Sequence, residues 1–338
     1  MSGSSATGWP DSGPQLNPMA ASSREGLRRR PERPASVARA RRRRGPGQSG
    51  VAPYLFLLPW FVGLAGITLG PMIASLYLSF TNYTLVGSFH WIGIGNYVQM
   101  FTNDPRYLAA AGVTIHYVFI SVPLQLGFAL TLAVLLNRGI RGLAIYRSVY
   151  YLPSLLGSSV AVAILWRQVF GGAGLVNQVL GFLGVHNAPN WIESPQHALQ
   201  TLIVLNVWTF GSPMIIFLAG LRQIPIDLYE AAMVDGASRI QRFWRVTIPL
   251  LTPVIFFNLI LQMIHAFQAF TQSYIISGGS GGPVDSTLFY SLYLYEKGFT
   301  DFDMGYASAM AWVLLIVIAG FTAAAFATSR YWVYYGDR

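Results

Sequence analysis

The chain is 338 residues long, 53% hydrophobic and 14% aromatic, with a positive mean hydropathy. Only 10% of it is charged, too little polar surface to cover a soluble globule of this size, so the bilayer is the expected solvent. A formal charge of +9 would suit nucleic acid if it were spread over a face, and zero cysteine excludes a disulfide framework, a thiolate metal site and a cysteine nucleophile.

The charge is not spread. Ten arginines lie between Arg24 and Arg44, opposed only by Glu25 and Glu32, in a stretch rich in Pro, Gly and Ser. Residues 1–50 read as a disordered basic arm and residues 51–338 as one membrane domain. The arm has almost no aromatic side chain to stack a base and ends where an apolar segment begins. It therefore reads as a topology signal, and no nucleic-acid partner is expected. The apolar run that follows exceeds the roughly 7–15 residues of a signal-peptide core and reads as an uncleaved anchor.

Six segments then have the length and apolarity to cross about 30 Å of hydrocarbon. They cover residues 52–80, 107–136, 145–170, 199–221, 248–272 and 306–328. Pro59, Pro71, Pro123, Pro153, Pro213 and Pro253 fall inside or near the ends of these spans, which predicts kinked helices packed as a bundle. No internal repeat is visible. If the arm is cytoplasmic, the loops 137–147 and 222–247 and the C-terminus share its side, and with them 19 of the 22 basic residues. Only Arg106, Arg167 and Lys297 fall opposite, beside Asp104, Glu193, Asp285, Glu296, Asp301 and Asp303. The predicted fold is all-α and polytopic, six transmembrane helices with a charged cytoplasmic elbow at 222–249 between the fourth and fifth.

That elbow, "LRQIPIDLYEAAMVDGASRIQRFWRVTIP", concentrates charge in an otherwise greasy chain. Asp227 reads as an N-cap with Glu230 at the third helical position, and Gly236 as the left-handed end of a short helix. Ser238 and Gln241 have the spacing of a capping box, and Pro249 opens the next span. A tether would need neither caps nor the apolar Leu228, Ala231 and Ala232 between its charges, so the elbow reads as a docking surface. The segment "EAAMVDGASRIQRFWRVTIP" resembles the EAA motif of binding-protein-dependent ABC importer permeases: Glu-Ala-Ala, three residues, Gly, nine residues, then Ile-x-Leu-Pro. Glu230, Ala231, Ala232, Gly236 and Pro249 are in register, with Val246 and Ile248 as conservative replacements.

The resemblance extends over nearly all the chain beyond the arm. "PYLFLLPWFVGLAGITLGPMIASLYLSFTNY", "WIGIGNYVQMF", "GSPMIIFLAGLRQIP" and "FDMGYASAMAW" are similar to the maltose and lactose type of carbohydrate-uptake permease. It implies a multi-pass protein of the bacterial cell membrane with both termini cytoplasmic. It implies four partners: a second homologous permease, an ATPase subunit dimer, an extracytoplasmic sugar-binding protein and a sugar substrate, in a setting of membrane lipid. By the same resemblance Glu230, Ala231, Ala232 and Gly236 contact the ATPase, with Asp235 and Arg239 beside them as further candidates.

The chemistry on this chain is accordingly limited. A phosphate-binding loop needs a lysine after its glycines, and the only lysine is Lys297 in "YEKGF", so no ATP hydrolysis is expected here; ATP and Mg belong to the partner ATPase. His90, His116, His186, His197 and His265 show no metal-ligand spacing, and Ser158 and Ser159 in "LGSSV" lack a placed base. No cofactor, metal or catalytic residue is therefore predicted. The fifth span is more informative. Asn258, Gln262, His265, Gln268 and Gln272 fall on one arc of a helix and form a polar stripe. Such groups serve either as interhelical hydrogen bonds or as the lining of a wet path. Amides beside Phe267, Phe270 and Tyr274 suit a neutral sugar, whereas a substrate such as glycerol phosphate would want a cation. Asn206, with Trp208, Thr209 and Ser212, is a weaker candidate for the same cavity. A passive channel would share the stripe but would need no capped elbow.

Overall fold

The computed structural model describes residues 52–85, 87, 90–137, 143–157, 159–185 and 187–334. The arginine-rich arm, Arg138, Arg141, Ser158, His186 and Arg338 lie outside them. The chain divides into a unit Met1–Leu58, whose described part is the first turns of a helix, and a compact body Pro59–Arg338.

The elements are helical throughout: α1 (Ala52–Gly63), α2 (Gly70–Leu78), α3 (Gly95–Thr102), α4 (Pro105–Leu136), α5 (Leu143–Leu156), α6 (Val160–Phe170), α7 (Leu175–Phe182) and α8 (Ala198–Trp208). After these come α9 (Gly211–Leu221), α10 (Ile226–Val234), α11 (Arg239–Arg242), α12 (Ile248–Phe267), α13 (Thr271–Ser277), α14 (Tyr290–Tyr295) and α15 (Met304–Trp332). Wider π-helical turns at Leu64–Leu69, Phe243–Thr247 and Glu296–Thr300 join neighbouring pieces. Among the described residues there is no strand; Thr81 bridges to Trp91 and Thr84 to Asp303 as isolated pairs.

Five helices are long and apolar enough to cross a membrane, and a sixth forms if α8 and α9, bent by 41°, count as one span. The outward faces carry large apolar side chains such as Ile67 (81% exposed), Phe119 (52%) and Ile316 (62%). A protein in water would bury such a surface; hydrocarbon accepts it. The two longest helices start on acidic caps. Asp104 accepts from the Tyr107 amide at 3.1 Å and Asp303 from the Tyr306 amide at 3.1 Å. The tightest packing lies where α4 meets α8, α9 and α12, around Ala129, Ala133, Leu205, Met214, Phe217 and Leu251.

Two predicted spans are broken rather than continuous. The segment 145–170 divides into α5 and α6, with Ser159 capping the second piece, and α6 with α7 forms the apolar stretch Val160–Phe182. The segment 199–221 breaks at Thr209 and Phe210. The two breaks pack so closely that neither leaves room for a side chain at its glycine. A Cβ on Gly157 would sit 2.1 Å from Thr209 Cγ2, and one on Gly211 would sit 2.4 Å from the Tyr150 carbonyl oxygen. Irregular backbone at membrane depth survives only where its polar groups find partners. Here Thr209 O accepts from Ser154 Oγ (2.8 Å) and Gln125 Nε2 (3.2 Å), and Ser212 N donates to Ser154 Oγ (2.9 Å).

Candidate functional site

The elbow differs from the sequence expectation at its start and matches it at its end. Pro225, not Asp227, occupies the N-cap position of α10, and no side chain caps it. Proline fixes the turn there, which leaves Asp227 inside the first turn, where its charge opposes the positive end of the helix dipole. At the far end Gly236 takes φ +77°, its amide donating to Met233 O (3.0 Å) and the Ala237 amide to Ala232 O (2.9 Å). That pair of bonds is a Schellman closure, and Ala232 supplies one of its carbonyls. Ser238 and Gln241 then form a reciprocal capping box at 2.8 and 3.3 Å.

The elbow's outer face has no partner among the described residues. No residue of α10 is buried; Ile226 is 65% and Val234 88% exposed, and Glu230, Ala231, Asp235, Gly236 and Arg239 are exposed with them, while Ala232 is half-buried. Tyr229 Oη and Thr247 Oγ1, 3.0 Å apart, tie α10 to the base of the fifth span. Thr247 ends the π turn 243–247 that leads into α12. A groove of about 820 Å³ runs beneath it, lined by Leu130, Val134, Tyr229, Arg239, Arg242 and Trp244.

A second cavity of about 490 Å³ lies deeper, where the breaks of α5/α6 and α8/α9 meet a third break between α12 and α13. Gln262, His265, Gln268 and Gln272 line it, as does Asn206. The predicted stripe therefore faces one space, although the helix carrying it stops at Phe267 and resumes at Thr271. Asn258 does not belong there. It is fully buried and is not among the cavity-lining residues, and neither its amide nitrogen nor its oxygen has a hydrogen-bond partner among the described residues. Helical angle put it on the stripe, but at its depth the spans close over α12.

The remaining five separate by what they already bond. Gln272 Nε2 donates to Gly157 O (3.1 Å), satisfying the break in the third span, and Asn206 Nδ2 donates to Gln125 Oε1 (3.4 Å). No hydrogen bond to another described residue engages the side chains of Gln262, His265 or Gln268. The sequence reading overlooked Gln125, Ser154 and Tyr117, which also line the cavity. Gln125 had a signal, as a single amide inside the apolar run "PLQLGF"; Ser154 and Tyr117 had none. No lysine or arginine is among the lining residues.

At the other end of α4 from the elbow an ionic cluster gathers the start of that helix and the chain around Asp285 and Glu296. Asp104 Oδ2 accepts from the hydroxyls of Tyr293 and Tyr306, each at 2.7 Å. Burial alone would raise that carboxyl. The two tyrosine hydroxyls, the Tyr107 amide and the charge of Lys297 outweigh it, and Asp104 titrates below its ordinary value. Arg106 pairs with both Asp285 and Glu296.

Comparison with known proteins agrees with this architecture. Residues 125–333 match the family of binding-protein-dependent transport system inner membrane components. The chain is 53% identical over 291 residues to the probable ABC transporter permease protein YesP of Bacillus subtilis, covering 86% of this chain and 94% of that one. It is 33% identical over 272 residues to the arabinooligosaccharides transport system permease protein AraP of the same organism, covering 79% and 85%. Its fold is similar, with a TM-score of 0.71 at 24% identity, to a chain of a bacterial alginate ABC transporter solved in complex with an alginate pentasaccharide-bound periplasmic protein. That likeness spans 82% of this chain and 94% of the other.

Proposed function

The chain belongs to the family of binding-protein-dependent transport system inner membrane components, and from that premise we propose that it forms, with a second permease, the membrane path of an ATP-driven importer for a neutral saccharide. The observation that carries the choice of substrate is the cavity. Gln262, His265 and Gln268 present polar groups unengaged by described residues to it beside the rings of Tyr117 and Phe270, with no lysine or arginine in the lining. A hydroxyl-rich neutral ligand satisfies such donors and acceptors and lays its C–H faces on the rings. A phosphate would enter a site without the lysine or arginine that anion sites use to balance such charge. The name of the arabinooligosaccharide relative supports the same class.

In this reading the elbow seats on an ATPase subunit through Glu230, Ala231, Ala232, Asp235, Gly236 and Arg239, and it lies in the cytoplasm with both chain termini. ATP and Mg act on that partner. An extracytoplasmic sugar-binding protein delivers substrate to the opposite end. Closure of the ATPases pushes the elbow, and the link from Tyr229 to Thr247 carries the displacement into α12 and its cavity face. A passive facilitator would share the cavity but has no use for a short helix closed at Gly236 that leaves the apolar side chains of Ile226 and Val234 exposed.

The complex reconstituted into liposomes tests this directly. Radiolabelled saccharide is expected to accumulate against its gradient only with ATP and the binding protein. Equilibration without ATP would overturn the importer reading in favour of a facilitator.

A further inference from the structure

The groove beneath the elbow lies outside the cavity and carries charge of its own. Its floor is apolar, built by Leu130 and Val134 of α4 and Leu221 of α9, and its rim carries Arg239, Arg242 and Trp244. At about 820 Å³ it falls within the roughly 300–1,000 Å³ typical of small-ligand sites. No aspartate or glutamate is among the lining residues. The ion pairs among the described residues join Arg106 to Asp285 and Glu296 and Lys297 to Asp301, so neither rim arginine has a carboxylate partner there. Arg242 is half-buried, and its Nε is sealed from solvent without a hydrogen-bond partner among the described residues. A charged donor left in that state is costly, and an anion that reaches it removes the cost.

The groove is continuous with the lipid-facing side of α4. Leu124, Phe128 and Leu135, all exposed, follow one another along one face of that helix, and Leu135 lines the groove. With 32 residues α4 is about 48 Å long at 1.5 Å per residue, against about 30 Å of hydrocarbon. Its last turns therefore reach the headgroups, a level that suits the exposed indole of Trp244. An apolar trough open to hydrocarbon thus meets two guanidinium groups without carboxylate partners at headgroup depth. A soluble anion would use only the guanidinium groups, and an apolar partner helix would use only the trough. A lipid with a charged phosphate uses both.

We propose that this groove is a binding site for an anionic phospholipid, its phosphate held by Arg242 and Arg239 and one acyl chain laid along Leu130, Val134 and Leu135. The phosphate gives the Arg242 Nε an acceptor, and its contacts to the guanidinium groups are charge-assisted. Arg239 is shared with the face offered to the ATPase; Arg242 is not, and it carries the test. The site requires only anionic lipid in the leaflet on the elbow's side, so it stands or falls independently of the transport reading.

The full-length chain, purified in a neutral detergent, is titrated with phosphatidylglycerol and with phosphatidylcholine, and bound lipid is counted by native mass spectrometry. Phosphatidylglycerol is expected to bind several-fold more tightly. One basic residue near anionic lipid is worth about fivefold in affinity, so Arg242→Gln should weaken phosphatidylglycerol binding by about that factor and leave phosphatidylcholine unchanged. Arg245→Gln removes the same charge outside the groove lining and should bind as wild type does. Equal losses in the two variants would reduce the effect to net charge and overturn the site. Leu135→Trp narrows the groove with both arginines intact. It should also weaken phosphatidylglycerol binding several-fold, and it decides the question alone if Arg242→Gln does not fold. Inorganic phosphate that displaces the lipid at equal concentration would make this a soluble-anion site. Binding to the isolated chain that is lost in the assembled transporter would give the groove to another subunit. Either result overturns the proposal.

Discussion

Arg106 and Asp285 face each other fork to fork across 179 residues of sequence. Arg106 Nε donates to Oδ2 at 3.2 Å and Nη2 to Oδ1 at 3.1 Å, while Nη1 reaches Glu296 at 2.6 Å. Asp285 and its neighbour Val284 hold left-handed backbone, φ +56° and +53°, a conformation that β-branched valine resists. The fork binds this strained loop to the start of α4.

Arg106→Gln keeps part of the side chain's length and removes the paired geometry. The pair is partly exposed, so the expected loss of stability is only about 1 kcal/mol. The loop is expected to respond more clearly, with faster proteolysis between Gly278 and Ser286 in the variant. Equal cleavage of both proteins would show that the loop holds its shape unaided.

Asp104 predicts a pH dependence. Its folded-state carboxyl titrates below the unfolded one, so the stabilisation it provides is complete above the unfolded value of about 3.9 and is lost as pH falls through the folded one. Asp104→Asn should lower the thermal midpoint of the purified protein at pH 7, and the difference from wild type should stay constant down to about pH 4 and narrow below it. A difference that narrows between pH 8 and 6 would assign the effect to another group.

Orientation is checked with reporters active only outside the cytoplasm. Fusions at positions 90, 187 and 285 should be active and those at 140, 236 and 338 inactive, given that 19 of the 22 basic residues fall with the latter set. The reverse pattern would place the elbow outside and remove its proposed partner.

Gly236 has no neighbour within 4 Å of an added Cβ, so substitution there is penalised by backbone conformation alone. Gly236→Val should cost about 1–2 kcal/mol locally, and Gly236→Asn distinctly less, because asparagine adopts left-handed backbone more readily. Saccharide uptake per ATP hydrolysed should fall strongly with valine and remain near wild type with asparagine. Equal coupling in both variants would detach the turn from force transmission.

Gln262 and Asn258 lie one helical turn apart and should respond differently. Gln262→Leu removes an unengaged cavity group and should weaken saccharide handling by about 1 kcal/mol, several-fold in affinity. Asn258→Leu replaces a sealed amide without partners and should leave transport intact while raising stability by about 1 kcal/mol. Loss of transport in the Asn258 variant would mean that the amide meets the path in another conformation.

What the sequence determined by itself is what short-range chemistry encodes. Apolar runs long enough for the bilayer specify the spans, since no water is available there to replace internal hydrogen bonds. The turn at Gly236 and the capping box of Ser238 and Gln241 were legible because each is closed by groups within five residues of one another. The polar stripe was legible too, as long as α12 stayed regular. Only the tertiary structure decided how 145–170 and 199–221 break, because Gly157 and Gly211 are required by contacts with Thr209 and Tyr150 from other segments. It also sealed Asn258, brought Gln125 to the cavity and joined Phe270 to Tyr295 and Phe299. Helical periodicity states which residues share a face but not what that face meets, and here the answer depends on segments as far apart in sequence as Asp104 and Tyr306, 202 residues.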